Sequence, residues 1–231
     1  MDADRDAGRW LIVGLGNPGT RYAGNRHNVG FMVAESLASL SDLLTFRMAA
    51  RFKGELALGR LRRHEVALLK PQTYMNLSGE SAQPLAHFYR IPIERVIAIH
   101  DDVDLELGRL KIKQGGGDAG HNGLRSLTDR FGSSEYIRIR FGVGRPEFGE
   151  VADYVLSDFR QEEHELLTET LDRAQKSIFT ILSRGLKEAM NRHNRVPKKK
   201  SAAKEPAGPG PSTLEASATN RGAKGDPPLE K

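Results

Sequence analysis

Histidine, aspartate and asparagine side chains recur at the points where apolar segments of this sequence give way to loops. They are Asn17, His27, Asn28, Asn76, His100, Asp101, Asp102, His121 and Asn122. A neutral imidazole can take a proton from water near pH 7, and a carboxylate beside it fixes its tautomer and raises its basicity. Asparagine amides can donate to a carbonyl oxygen as it becomes negative. The set is therefore suited to hydrolysing an acyl ester without a metal or a covalent intermediate.

Each of these residues, taken singly, also fits a structural role. A lone His27 is most often a packed or surface histidine, and Asp101 fits a loop or helix cap as well as it fits catalysis. Asn17 stands before a proline, which is typical of a turn. Spacing alone therefore leaves ester hydrolysis as one interpretation among several.

Motifs for other chemistries are missing or incomplete in the sequence. Gly14-Leu15-Gly16-Asn17-Pro18-Gly19 has the glycine spacing of a dinucleotide-binding turn, but the next predicted helix begins too late and no acidic residue ends a second strand. There is no Gly-x-Ser-x-Gly, no Gly-Lys-Ser/Thr phosphate loop, no His-Glu-x-x-His and no cysteine. We expect neither a metal nor a cofactor, and a nicotinamide-dependent oxidoreductase stays as the third alternative.

The net charge of +5 over 231 residues does not by itself indicate a nucleic-acid partner. Residues 192–231 hold nine Lys or Arg and four Asp or Glu, an excess equal to the whole net charge. We expect three parts: a charged N-terminal extension at residues 1–8, one folded domain at residues 9–195, and a disordered tail at residues 196–231 that is rich in Lys, Pro, Ala and Gly. No run of about 18 apolar residues occurs, so we expect no membrane span and a cytoplasmic location.

Basic residues are concentrated within the folded part. They are Arg109, Lys111, Lys113, Arg125, Arg130, Arg138, Arg140 and Arg145, against only Asp118, Asp129 and Glu135. Residues 109–113 and 137–143 alternate apolar with basic or polar side chains, a pattern typical of strands that show one cationic face to solvent. Two interpretations stay open, namely solvated strand faces and a surface that binds a polyanion.

Short apolar runs alternate with helical patterns along the chain. Besides the two basic strands, strands are predicted at 10–15, 52–61, 65–69 and 96–99. Helices are predicted at 28–40, 78–89 and 120–131, and a long closing helix begins after Asp158. This alternation predicts a single α/β domain with a twisted, mixed, largely parallel central sheet and helices on both faces.

Five sequence blocks stand out in order along the chain. They are Asn17-Pro18-Gly19 followed by Tyr22, then Arg26-His27-Asn28-Val29-Gly30, then Pro71-Gln72-Thr73-Tyr74-Met75-Asn76-Leu77-Ser78-Gly79, then His100-Asp101-Asp102-Val103-Asp104-Leu105, and finally Gly120-His121-Asn122-Gly123-Leu124. In these blocks and in their order the sequence resembles the bacterial peptidyl-tRNA hydrolases over roughly residues 9–195. Five ordered blocks are far more specific than any single one.

The resemblance implies an enzyme that hydrolyses the ester bond of peptidyl-tRNA, releasing peptide and recycling tRNA. In that family's pattern His27 activates water and Asp101 orients the His27 imidazole. Asn17 distinguishes a blocked peptidyl-tRNA from a free aminoacyl-tRNA. Substrate or tRNA contacts are implied for Tyr22, Tyr74, Met75, Asn76 and Asn122. With tRNA as partner, phosphate contacts are expected at Lys111, Lys113, Arg138 and Arg140. We expect a monomer with no membrane partner.

The glycine-rich stretch Gly115–Gly120 departs from the family pattern, because Asp118 stands where a small residue or histidine is expected. A carboxylate near an RNA backbone could weaken binding. The fold is also similar to plant organellar RNA-splicing factors that bind RNA without hydrolysing it. A non-catalytic RNA-binding protein is therefore the second alternative.

Overall fold

Seven strands and six α-helices are found among the residues that the computed structural model describes. The strands are β1 (Trp10–Gly14), β2 (Arg47–Ala49), β3 (Gly54–Leu61), β4 (His64–Pro71), β5 (Val96–Asp102), β6 (Leu110–Gln114) and β7 (Ile137–Gly142). The helices are α1 (Val29–Ala38), α2 (Gly79–Phe88), α3 (Asn122–Phe131), α4 (Val151–Val155), α5 (His164–Arg184) and α6 (Leu186–His193).

The structure describes residues 8–41 and 44–195, and all of them belong to one compact unit. The expected tail at residues 196–231 and all but the last residue of the expected extension at residues 1–8 lie outside the described residues. Within the described residues no helix is both long and apolar enough to cross a membrane.

The strands form one mixed sheet in the order β2-β3-β4-β1-β5-β7-β6. Strands β4, β1, β5 and β7 are parallel to their neighbours in that series, whereas β2, β3 and β6 join antiparallel at the two sides. The predicted fold class is therefore confirmed. Because the four parallel strands end at the same edge of the sheet, the loops that follow them converge there.

Both faces of the sheet are covered by helices, which explains why β1 is apolar at every position. Ile12 faces a core layer shared with α1, α5 and α6, and its neighbours Leu11 and Val13 face the opposite layer with α2 and α3. Helix α1 lies so close to the sheet that a Cβ at Gly30 would stand 2.3 Å from the Leu15 backbone nitrogen. This approach fixes the short turn before α1, where His27 lies.

The differences from the predicted elements have local causes. Strand β5 continues through Asp102, beyond the apolar run, because its polar end still pairs with β7 (His100 with Arg140, Asp102 with Gly142). The predicted closing helix begins with a 3₁₀ turn and is divided at Gly185, whose φ of 82° is incompatible with a continuous helix. Neither β2 nor α4 was predicted, since both are too short to show a period.

Candidate active site

A cavity of about 600 Å³ opens at the edge where the parallel strands end. Of the predicted site residues, Asn17, His27, Tyr74, Met75, Asn76, Asp101 and Asn122 line it. The structure thus brings together side chains from widely separated parts of the sequence. Tyr22 and the four basic residues predicted to meet phosphates are not in the lining.

His27 and Asp101 form the central pair of the cavity. His27 Nδ1 lies 2.8 Å from Asp101 Oδ1. An ionised carboxylate only accepts hydrogen bonds, so Nδ1 carries the proton and donates it. The other ring nitrogen, Nε2, then holds a free lone pair, which is the state that a general base requires. The imidazole is 14% exposed, in keeping with access from the cavity.

Asp101 also accepts a hydrogen bond from His121, whose Nε2 lies 3.0 Å from the same oxygen. Burial of Asp101 raises its pKa, but the attraction and hydrogen bond of His121 and the hydrogen bond of His27 outweigh burial and hold the pKa far below its usual range. Asp101 is therefore ionised throughout the pH range in which His27 can act as a base.

His121 has its tautomer fixed by the start of α3. Its Nδ1 accepts hydrogen bonds from the backbone nitrogens of Gly123 at 3.1 Å and Leu124 at 3.3 Å. Since those groups only donate, Nδ1 must be unprotonated, and Nε2 carries the proton that Asp101 accepts. His121 was among the polar residues noted in the sequence, but nothing in its spacing distinguished a helix cap from a partner of the catalytic pair.

The side chains of His27, Asp101 and His121 also have the spacing of a metal site, since their ligating atoms lie within 4.8 Å of one another. Metal binding by His121 Nε2 would require the proton to move to Nδ1, which faces two backbone N–H groups. The start of α3 therefore makes His121 a poor metal ligand. This geometry favours proton transfer over metal chemistry at the site.

His100 lines the same cavity but is unsuited to act as the base. Its Nδ1 donates to the backbone oxygen of Asp101 over 2.6 Å. Burial, followed by the nearby His121, lowers the pKa of His100 well below its usual value. The ring is 4% exposed, so a water molecule reaches it less readily than it reaches His27.

Asn17 is held so that its amide donor remains available. Its Oδ1 accepts from the backbone nitrogen of Met75 at 2.9 Å, and its own backbone nitrogen and oxygen bind the side chain of Asn28. The Nδ2 group has no partner among the described residues. Because the oxygen is already used, Asn17 presents an N–H donor to any molecule in the cavity.

Arg26, next to His27, holds the segment that forms the far wall of the cavity. Its guanidinium donates to the backbone of Asp158 and to Glu163 Oε2, the latter at 2.6 Å. The same group stacks on the rings of Tyr154 and Phe159, at 4.4 and 4.9 Å from their centroids. These contacts fix the segment that contains α4. The side chains of this segment that line the cavity are apolar, namely Val151, Ala152, Val155 and Leu156.

One predicted phosphate contact is wrong, because Arg138 is fully buried. Its two terminal nitrogens donate to the backbone oxygens of Gly117 and Gly116, each at 2.6 Å. A phosphate cannot reach a guanidinium that the glycine-rich loop covers. Arg138 instead positions that loop, and the two basic strands do not share one solvated cationic face.

The remaining predicted cations lie beside the cavity on the same face of the sheet. Lys111 is exposed and stands opposite Arg140 in the register of β6 with β7. The Arg140 side chain is 17% exposed and pairs through Nε with Asp102. Burial and the neighbouring Arg138 and Arg140 lower the pKa of Lys113. We call Lys111, Lys113 and Arg140 the phosphate face.

Asp118 has partners of its own. One carboxylate oxygen accepts from the Gly120 backbone nitrogen at 2.8 Å, and the other lies 3.6 Å from Arg125 Nε. The carboxylate therefore shapes the turn that leads to His121, and Arg125 balances part of its charge.

Comparisons with known proteins point to one family. The family model for peptidyl-tRNA hydrolase matches residues 11–203. The chain is similar to a peptidyl-tRNA hydrolase of Citrifermentans bemidjiense, with 48% identity over 184 residues that are 80% of this chain and 97% of that protein. It is also similar to one of Streptomyces coelicolor, with 44% identity over 207 residues, 84% of this chain and 100% of that protein. A crystal structure of peptidyl-tRNA hydrolase from Acinetobacter baumannii matches with a TM-score of 0.76 and 38% identity, covering 81% of this chain and 95% of that one.

The contact between Arg26 and Glu163 predicts a stability test. Glu163→Gln leaves a buried guanidinium without its carboxylate, so we expect the free energy of unfolding at pH 7 to fall by about 3 kcal/mol. The matched control is Glu162→Gln, because Glu162 is an exposed carboxylate whose one ion pair within the described residues is with the exposed Arg160. Denaturant unfolding of both variants measures the difference.

The same pair predicts a pH dependence. Burial opposes ionisation of Glu163, but hydrogen bonds from Arg160 and the charge of Arg26 lower its pKa below the usual glutamate value. A depressed pKa stabilises the fold above the unfolded-state pKa, and that contribution is lost as the pH falls through the folded-state pKa. The two glutamate variants should thus converge in stability at low pH. Equal stability at pH 7 would contradict the assignment.

Proposed function

We propose that this chain, which belongs to the peptidyl-tRNA hydrolase family, hydrolyses the ester that joins a peptide to the 3′-terminal ribose of tRNA. The observation that carries the proposal is the pairing of His27 Nδ1 with Asp101 Oδ1, which leaves Nε2 as a base in a cavity lined by asparagine amides. The match of the family model and the similar relatives confirm the family resemblance expected from the five blocks. The two alternatives, an RNA-binding protein without activity and a nicotinamide-dependent oxidoreductase, are not favoured.

The reaction begins with a water molecule at His27 Nε2. Nε2 takes one proton while the water oxygen attacks the ester carbonyl carbon, and Asp101 stabilises the imidazolium that forms. The carbonyl oxygen becomes negative, and the amides of Asn76 and Asn122 at the cavity rim supply donors to it. When the tetrahedral intermediate collapses, the ribose oxygen leaves with the proton from Nε2. The products are a free peptide acid and a tRNA with its hydroxyl restored.

Selectivity for a blocked amine follows from Asn17. Its free Nδ2 donor can bind the carbonyl oxygen of a peptide bond but meets only further donors on an α-ammonium group. The α4 side chains in the cavity lining are apolar and offer no carboxylate to that ammonium. The carboxylates elsewhere in the lining, Asp101, Asp102, Asp104 and Asp118, already pair with histidine or arginine side chains. Asn17 therefore favours peptidyl-tRNA over aminoacyl-tRNA, and Tyr74 and Met75 beside it contact the same end of the substrate.

The phosphates of the tRNA acceptor end lie on the phosphate face, which is on the same side of the sheet as the cavity. Lys111, Lys113 and Arg140 supply positive charge there, and the partly compensated Asp118 reduces it locally. We assign the activity to residues 9–195 and propose that the protein acts as a monomer in the cytoplasm, where its tRNA substrate is produced. Tyr22 lies outside the cavity and contacts RNA beyond the terminal nucleotide.

Removal of the base provides the first test. His27→Ala should lower the rate of peptide release from an N-blocked aminoacyl-tRNA by about 10²- to 10⁴-fold, because general-base catalysis is lost. The assay contains a chelator throughout and is repeated with unblocked aminoacyl-tRNA. His87→Ala, which replaces an exposed histidine on α2, is the control. Turnover within a few-fold of wild type in His27→Ala would refute the mechanism.

Two substitutions of His121 separate its two roles. His121→Ala removes both the cap of α3 and the donor to Asp101, whereas His121→Asn keeps a good capping side chain but is too short to reach Asp101. We expect both to lower kcat by about tenfold or more, since a hydrogen bond to a charged group contributes about 1.5–3 kcal/mol. Only His121→Ala should also lose about 1 kcal/mol of stability. Wild-type kcat in His121→Asn would exclude the positioning role.

The phosphate face predicts a salt dependence. Lys111→Gln and Lys113→Gln should each weaken tRNA binding and reduce the slope of log K against log salt concentration by about 1. The control is Arg63→Gln in the turn between β3 and β4, at the opposite end of the sheet. An unchanged slope in both lysine variants would count against phosphate contacts there.

A further inference from the structure

We propose that the open edge of β6 carries a second RNA-contact surface formed by Arg109, Arg173, Arg192 and Arg195. This surface, which we call the outer cationic edge, takes the sugar-phosphate backbone of the tRNA beyond its acceptor end. The inference rests on the proposed function, because it assigns a further part of the same substrate to a further part of the fold.

Helices α5 and α6 place these arginines around β6. The side-chain amide of Asn194 binds both backbone groups of Ile112, accepting from its nitrogen at 2.7 Å and donating to its oxygen at 3.0 Å. Arg192 and Arg195 are next to this clamp in sequence and are both exposed. Arg173 donates to the backbone oxygen of Gly108, the residue before Arg109. The four arginines therefore surround the outer side of one strand.

Positive charge at this edge is not balanced by carboxylates. Burial lowers the pKa of Arg173, and the proximity of Arg109 lowers it further against the opposing effect of Glu169. Burial, Arg192 and Arg173 likewise lower the pKa of His193. Glu188 borders a shallow depression with Arg192 and Arg195, yet none of the four arginines has an ion-pair partner within the described part of the chain.

Several other surface arginines are paired with carboxylates. Arg9, Arg130 and Arg145 lie 2.5–3.1 Å from carboxylate oxygens. Arg109 has no such carboxylate, and its Nη1, like Nε of Arg9, is buried without a hydrogen-bond partner among the described residues. A buried donor of this kind costs free energy until an acceptor reaches it.

Continuity with the phosphate face identifies the ligand as nucleic acid. Lys111 and Lys113 lie on β6 itself, flanking the residue that Asn194 clamps. The cations therefore run from Arg140 beside the cavity, across β6, to the exposed end of α6. The exposed Arg62 and Arg63 also have no ion-pair partner in the described ranges, but they form the turn between β3 and β4, which three strands separate from β6. Arg62 is instead held over the Phe179 ring, at 4.7 Å from its centroid. A polyanion that enters the cavity at one end is the partner that fits a continuous path.

The test compares a full-length substrate with a short one. Arg192→Gln/Arg195→Gln replaces two exposed side chains, and Arg173→Gln is a second variant that tests the buried part of the edge. The substrates are an N-blocked aminoacyl-tRNA and an N-blocked ester of a short oligonucleotide with the tRNA 3′ end. The control is Arg62→Gln/Arg63→Gln, with the same change in charge, and thermal unfolding checks that each variant is folded.

We expect the double variant to raise KM several-fold for full-length tRNA, with kcat unchanged, and to leave KM for the short ester as in wild type. The slope of log K against log salt for uncharged tRNA should fall by about 1 for each phosphate that the variant no longer binds. The control should change neither quantity.

Equal KM and salt slope in the double variant and the control would overturn the inference, and an acidic protein would then be the better candidate for this edge. An equal rise in KM for both substrates would overturn it as well, because the effect would not depend on the tRNA body. Failure of the proposed function is a separate outcome, in which the unaltered chain cleaves neither substrate.

Discussion

The carboxylate of Asp101 accepts hydrogen bonds from two imidazoles, and the central part of the fold serves to hold it in that position. Burying an ionised group in a sheet is costly unless donors replace the water that it loses. Here His27, on the turn that leads into α1, and His121, at the start of α3, supply those donors to the same carboxylate oxygen. The buried charge of Asp101 thus requires both the close approach of α1 to β1, which places His27, and the cap of α3, which places His121. The same arrangement determines which nitrogen of each ring carries its proton.

The cavity joins two walls of different character. One wall consists of polar side chains at strand ends, which can orient an ester and its attacking water. The other is the short helix α4, which is too small to be stable alone and is held by Arg26. Because Arg26 precedes His27 in the chain, the base and the apolar wall are positioned by adjacent residues. This linkage explains why a charged residue is retained in the interior at that point.

Much of the fold was predictable because apolar runs and helical periods are local signals. The mixed, largely parallel sheet followed from the alternation of strands and helices, and the clustering of Asn17, His27 and Asp101 followed from the convergence of parallel strands and from the five blocks. Three features could not be predicted from the sequence pattern. The role of His121 depends on a distance across the cavity, the burial of Arg138 depends on a loop that folds over it, and α4 is shorter than a detectable period. In each case tertiary contact determines what an ambiguous residue does.

Asn194 has a consequence for the behaviour of the protein in concentrated solution. An exposed edge strand offers unpaired backbone groups on which another chain can add a strand. At β6 an amide side chain occupies the backbone groups of Ile112 in the way that a neighbouring strand would, and lysines flank that position. The other outer strand, β2, is only three residues long. Because Asn194 covers the edge strand β6 and the edge strand β2 is too short to act as a template, the sheet resists edge-to-edge aggregation.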